Sequence, residues 1–218
     1  MVLPLNRLRA LAAVEVALAA VVVLLDLAIP SVVLVVLAAV SLAVRQDRPS
    51  SLGFHRLRRP WRTTGVVVVL TVAWTLLEVG LVMPLLEHAT GSQQDMSAFA
   101  DLEGDVGMLV VLLVASWTLA AVVEETAFRG YLLTRVTEVV GTGTVAVVTG
   151  VAVSSALFGL IHTEQGLVGV LLSGFDAVYF AVLRLRAGSV WAAVLAHGTS
   201  NTIGIVAVFL VGPVTGLW

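Results

Sequence analysis

The chain has 218 residues, of which 59% are apolar and only 12% charged, with a formal charge of −2 and a mean hydropathy of +1.06. Soluble domains run at about 45–50% apolar and about 25% charged, so too few charged side chains remain to cover a soluble core of this size, and disorder is excluded for the opposite reason. The charge balance gives no basic face for nucleic acid, and the absence of cysteine removes disulfides, thiolate metal sites and a cysteine nucleophile together.

A bilayer core of about 30 Å takes about 20 helical residues to cross, and seven apolar stretches are read as spans. They are roughly residues 8 to 29, 30 to 44 (short, after Pro30), 64 to 86, 106 to 128 with a helical continuation to about 140, 144 to 163, 166 to 184 and 189 to 211. The expected fold is all-α, a polytopic membrane helix bundle of about seven transmembrane helices. The first stretch follows Arg7 and Arg9 as a signal peptide would, but its apolar run is too long and no small-residue cleavage site follows it. It reads as a retained first helix.

Orientation follows from the arginines, which supply all twelve cations. The connection after the second span holds Arg45, Arg48, Arg56, Arg58, Arg59 and Arg62, whereas the connection after the third holds Glu87, Asp95, Asp101, Glu103 and Asp105 and no cation. The positive-inside rule makes the basic loop and the N-terminus cytoplasmic and the 87 to 105 loop external. Ser51 to Phe54 with the following basic run reads either as a segment lying on anionic lipid or as a topology signal alone. The all-arginine usage with abundant Ala, Val and Gly fits a GC-rich genome, and the expected location is the bacterial plasma membrane.

Ionisable groups inside a span cost about 2.5–3.5 kcal/mol each at a helix centre, so they mark where function should be sought. Glu15, Asp26, Glu78 and Asp176 stand alone and read as helix-packing groups. The fourth span instead ends in Glu124-Glu125-Thr126-Ala127-Phe128-Arg129, where Glu125 and Arg129 are i, i+4 partners with the acid first, the better order. The fifth span ends in Phe158 to His162, and the seventh carries His197 with Asn201 four residues on. If Gly141 to Gly143 turns an antiparallel hairpin, Glu124 and His162 each lie 19 residues from Gly143 and stand at equal height, about 28 Å from the turn. His197, nine residues past Gly188, reaches that depth only if the hairpin projects about 14 Å beyond the membrane. Ser155 with Gly159 and Gly169 with Ser173 have the small-xxx-small spacing of closely packed helices.

A carboxylate facing an imidazole can share the proton of a water and make it nucleophilic, so hydrolysis is the natural reaction class. A second imidazole and a carboxamide on one helix face supply donors for a developing oxyanion, and the set holds no covalent nucleophile. Glu125 would neutralise a buried Arg129.

The ordered trio Glu124-Glu125-x-x-x-Arg129, Phe158-x-x-x-His162 and His197-x-x-x-Asn201 resembles the CAAX-processing and bacteriocin-processing (CPBP) family of intramembrane endopeptidases, which includes the type II CAAX prenyl proteases. The resemblance covers about residues 105 to 210 as a protease core, with residues 1 to 104 as N-terminal transmembrane helices and a basic loop. It implies Glu124 and His162 as the water-activating pair and His197 and Asn201 as oxyanion donors, with Glu125, Arg129 and Phe158 supporting. It implies a peptide or membrane-protein substrate in the bilayer and no cofactor; a prenyl group on the substrate does not carry over. Three alternatives stay open: a zinc enzyme with Glu124, His162 and His197 as ligands, a non-catalytic scaffold or immunity factor, and a transporter, against which stands the lack of an inverted repeat.

Overall fold

The computed structural model describes residues 4–213, and every regular element among them is helical. Seven helices follow one another: α1 (Leu5–Leu24), α2 (Pro30–Arg45), α3 (Pro60–Thr90), α4 (Val106–Val140), α5 (Thr144–Leu160), α6 (Gly166–Ala187) and α7 (Val190–Val211). Their ends follow local chemistry. Pro30 and Pro60 open α2 and α3 at positions where a missing N–H costs nothing. Asp105 and Ser189 cap α4 and α7 through their side chains. Gly188, at φ 65°, closes α6 in the left-handed conformation that glycine adopts without penalty.

Four segments are long and apolar enough to cross a membrane: α3, α4, the stretch Thr163–Ala187 that contains α6, and α7. Helices α2 and α5 are apolar but shorter, at 16 and 17 residues. Asp26, expected inside the first span, lies exposed in the turn between α1 and α2. This matches the cost of an unpaired carboxylate in hydrocarbon.

Helix α4 is the hub, packing against α1, α2, α5 and α7. From Ser116 to Leu132 it is wound as a π-helix, and the N–H of Leu133 still bonds back to Phe128 O. Such i→i+5 winding is rare and occurs mostly as single turns at functional sites; here it spans 17 residues. Helices α4 and α5 form the expected hairpin through Gly141 and Gly143, both at positive φ. Glycine also lets α5 approach α6: a Cβ on Gly159 would stand 2.6 Å from Val170 O. The second small-residue pair behaves differently, because the space beside Gly169 is taken by Gln165 of the preceding turn.

Within the segment Ser51 to Phe54, Ser51 is exposed and the next residues dock into protein. Leu52 is buried against Ala38 and Tyr131, and Gly53 O accepts the N–H of Val190 at 2.9 Å. Gly53 makes this turn at φ 90°, which brings its carbonyl to the start of α7.

Helices α1, α2 and α4 are joined by a closed ring of four charges. Glu15 contacts Arg45 at 2.9 Å and Arg135 at 3.2 Å, and Glu138 contacts Arg45 at 2.9 Å and Arg135 at 3.0 Å. Arg135 also donates to Ser41 Oγ at 3.0 Å. Removing one member of a buried pair leaves its partner's charge uncompensated. Arg45→Met should therefore destabilise the protein by about 3 kcal/mol, read as a lowered midpoint of thermal or denaturant unfolding in detergent; an unchanged midpoint would mean that the ring adds nothing to stability.

Candidate active site

The π-helical run of α4 carries Glu124, Glu125, Phe128 and Arg129 into the centre of the bundle. Glu125 is fully buried, and one oxygen, Oε1, lies 3.0 Å from Arg129 Nη1 and 2.8 Å from His197 Nδ1. An ionised carboxylate only accepts hydrogen bonds, so Nδ1 of His197 carries the proton and Nε2 is the nitrogen left for chemistry. Arg129, 1% exposed, has its guanidinium carbon 4.1 Å from the centroid of the Phe158 ring and 5.4 Å from that of Phe180. The ring faces and Glu125 together offset the cost of the buried cation.

Phe158 is the structural centre of the aromatic packing. Its ring lies 5.1 Å from Phe128, 4.8 Å from His162 and 5.9 Å from His197, centroid to centroid. Phe180 of α6 stacks on His197 from another side at 5.0 Å and 15°. The second histidine is thus fixed by a carboxylate at its Nδ1 edge and by aromatic rings around its plane.

His162 is not inside a helix, as its span suggested. Helix α5 ends at Leu160, and His162 lies in the turn before α6 with φ −112°. Its Nδ1 is 2.9 Å from Phe158 O in the last turn of α5, a carbonyl that also accepts the N–H of Ile161 at 3.3 Å. A carbonyl can only accept, so His162 also carries its proton on Nδ1 and keeps Nε2 free. Imidazole and helix end satisfy one another.

Glu124 is half-buried, and its Oε2 is shielded from solvent without a hydrogen-bond partner. His197 and Arg129 lie within electrostatic range of both Glu124 and His162. Asn201 stands one turn beyond His197 on α7, half-buried, and no hydrogen bond to the described residues occupies its carboxamide. Gly188 lies nine residues before His197, so the site lies about 14 Å in from the α6–α7 turn at the rise of an α-helix.

Residues 106–203 match the model of the family described as Rce1-like, type II CAAX prenyl endopeptidase Rce1-like. Over this stretch, just under half of the chain, the sequence is similar to the Rce1-like family. No curated protein and no solved structure matches the chain. The Rce1-like segment contains Glu124, Glu125, Arg129, Phe158, His162, His197 and Asn201, and the similarity supports a CAAX-type intramembrane protease in general terms. Zinc held by Glu124, His162 and His197 would need three converging ligand atoms. Among the described residues no three His, Asp or Glu side chains converge in that way, so the three would have to move together to bind it.

Several residues behind the Rce1-like site escape motif reading. Asp176 accepts from Trp74 Nε1 at 2.6 Å and lies within electrostatic range of His197, Arg129 and Glu125. Trp74 stacks on Tyr179 at 5.1 Å, Thr71 Oγ1 is 3.1 Å from Tyr179 OH, and Thr75 Oγ1 is 3.4 Å from Ser200 Oγ. Helix α3 thus turns a stripe of Thr71, Trp74, Thr75 and Glu78 toward α6 and α7, and that i, i+3, i+4, i+7 spacing is the signal a sequence reading could have used. On α7, Gly198 leaves room for Trp117, whose ring a Cβ would meet at 2.6 Å. Trp117 Nε1 donates to Thr202 Oγ1 at 3.1 Å, tying α4 to α7 beside His197. Gly198→Ala should cost about 1–3 kcal/mol by overpacking and shift the helix that carries His197. Unfolding midpoints of the two proteins in detergent check this; equal stability would show that Trp117 swings away freely.

Proposed function

We propose that the Rce1-like segment hydrolyses a peptide bond within the membrane, with Glu124 and His162 activating water and His197 and Asn201 binding the oxyanion. The observation that carries this reading is the buried, unbonded Glu124 Oε2 in a cluster where both histidines have Nδ1 occupied. A buried carboxylate oxygen without a partner is costly and calls for one; in this reading the water to be activated, shared with His162 Nε2, is that partner.

In this mechanism Glu124 takes one proton of the water as the oxygen adds to the scissile carbonyl, and His162 Nε2 accepts the other hydrogen as a hydrogen bond. The carbonyl electrons move to oxygen, where Asn201 donates from its amide. His197 donates from Nε2 if that atom also bears a proton, and Glu125 is the counter-charge that such an imidazolium needs. Collapse of the intermediate breaks the C–N bond as Glu124 returns its proton to the leaving amine. Peptide bond and water are consumed, and one acid and one amine are formed. The substrate is a peptide or membrane protein reached from the bilayer.

Glu124→Gln and His162→Ala should each abolish proteolysis while leaving the unfolding midpoint near that of wild type. Asn201→Ala should be slower by about 100-fold to 1,000-fold, the usual effect of losing one oxyanion donor, with the Michaelis constant nearly unchanged. Turnover by purified Glu124→Gln would refute the assigned base. Variants that all lose folded protein together would favour a packing scaffold, and activity that is lost on chelation and restored by stoichiometric zinc would favour the metal reading.

The N-terminus is proposed to be cytoplasmic, supported by the arginine-rich connection after α2 and the acidic one after α3. Ser50 and Ser97 are exposed in those two connections, and the chain has no cysteine. A cysteine at position 50 should react with a membrane-impermeant maleimide only after the cell is opened, and one at position 97 should react in intact cells. The reverse pattern would invert the topology.

A further inference from the structure

Three buried arginines are neutralised by carboxylates: Arg129 by Glu125, and Arg45 and Arg135 by Glu15 and Glu138. Arg184 of α6 differs. Among the described residues its guanidinium makes one hydrogen bond, from Nη2 to Thr134 Oγ1 at 3.0 Å, and no carboxylate oxygen comes within ion-pair distance. It is held there from the far side by the docked 49–53 turn: a Cβ on Gly53 would stand 3.1 Å from Nη2, and the φ of 90° at that position itself favours glycine.

The guanidinium borders a cavity of about 180 Å³ between α4, α5, α6 and that turn. Its lining combines the polar residues Arg184, Ser51, Thr134 and Thr137 with the apolar Leu133, Val147 and Leu185. The hydroxyl hydrogens of Thr134 and Thr137 are spent on Gly130 O at 2.6 Å and Leu133 O at 2.8 Å. The donors left for a ligand are the remaining guanidinium N–H groups and the Ser51 hydroxyl. A site of one uncompensated cation and a hydroxyl donor selects an anion with several acceptor oxygens, and the fork of arginine matches phosphate.

The location adds the rest. The cavity lies at the arginine-rich end of the bundle, because the Gly53 carbonyl that meets α7 belongs to the connection carrying Arg48, Arg56, Arg58, Arg59 and Arg62. Basic pockets between transmembrane helices at such a surface suit anionic head groups. Leu185 on the cavity wall is also exposed on the outer surface of the bundle, an apolar side chain against which an acyl chain can lie as it leaves. We infer that this cavity binds the phosphate group of an anionic phospholipid, gripped by Arg184 and Ser51, with the acyl chains leaving along Leu185. The site is separate from the one around Glu124 and does not depend on its chemistry.

The test is a thermal-shift titration of the purified full chain in neutral detergent with short-chain phosphatidylglycerol, phosphatidylcholine and sodium phosphate. Phosphatidylglycerol should raise the unfolding midpoint saturably, and phosphatidylcholine should not. Arg184→Gln should weaken the apparent affinity by about tenfold or more. Val147→Trp, which keeps the cation and fills the cavity, should do the same, whereas Arg56→Gln on the adjoining loop should bind as wild type does. Unaltered affinity in folded Arg184→Gln, or equal weakening in Arg56→Gln, would overturn the site in favour of general surface attraction. An equal shift from sodium phosphate alone would overturn the lipid assignment.

Discussion

A single carboxylate oxygen, Glu125 Oε1, holds Arg129 on its own helix and His197 on α7. In a medium without water to solvate it, that carboxylate must find its partners within the protein: the cation of Arg129 four residues on along its own helix, and the Nδ1–H of His197, 72 residues away in sequence. Much of the site is arranged around this requirement. Arg129 must lie where Glu125 can reach it, which places the guanidinium over Phe158; Phe158 in turn packs both imidazoles. The distance between α4 and α7 is therefore set by a charge contact, with Trp117 against Gly198 filling the space alongside.

The same cost explains how the bundle distributes its other ions. Glu15, Arg45, Arg135 and Glu138 cancel in a ring, and Asp176 is held by an indole N–H. Glu124 and Arg184 differ from these ions: Glu124 leaves a buried oxygen without a hydrogen bond at the centre of the bundle, and Arg184 leaves a cation without an acid at its basic end.

The seven helices were legible because apolar runs of this length have few other outcomes, and the Glu125–Arg129 contact because i, i+4 neighbours meet on any helix near α geometry. The contact between Glu125 and His197 was hidden, since depth in the membrane says which residues share a level but not which faces meet. The π winding of α4 was hidden for a related reason: apolar composition fixes that a segment is helical, not how many residues make its turn. His162 shows a third limit. Its place in an apolar run put it inside a helix, yet that helix ends at Leu160 and the imidazole bonds back to Phe158 O. Ser51 to Phe54 looked interfacial by composition, whereas Leu52 and Gly53 are protein contacts.

The charge ring also bears on the order in which the chain can be assembled. Glu15 and Arg45 belong to α1 and α2, while Arg135 and Glu138 are i, i+3 neighbours on α4. Each pair is neutral by itself, so the first two helices can enter the bilayer as a hairpin whose charges already cancel, long before the fourth has been synthesised. Closing the ring then adds the two cross contacts, Arg45 to Glu138 and Arg135 to Glu15, without either pair ever being left uncancelled. A link between helices that is made by exchanging partners between two neutral pairs lets the amino-terminal hairpin wait in the membrane for the rest of the bundle to arrive.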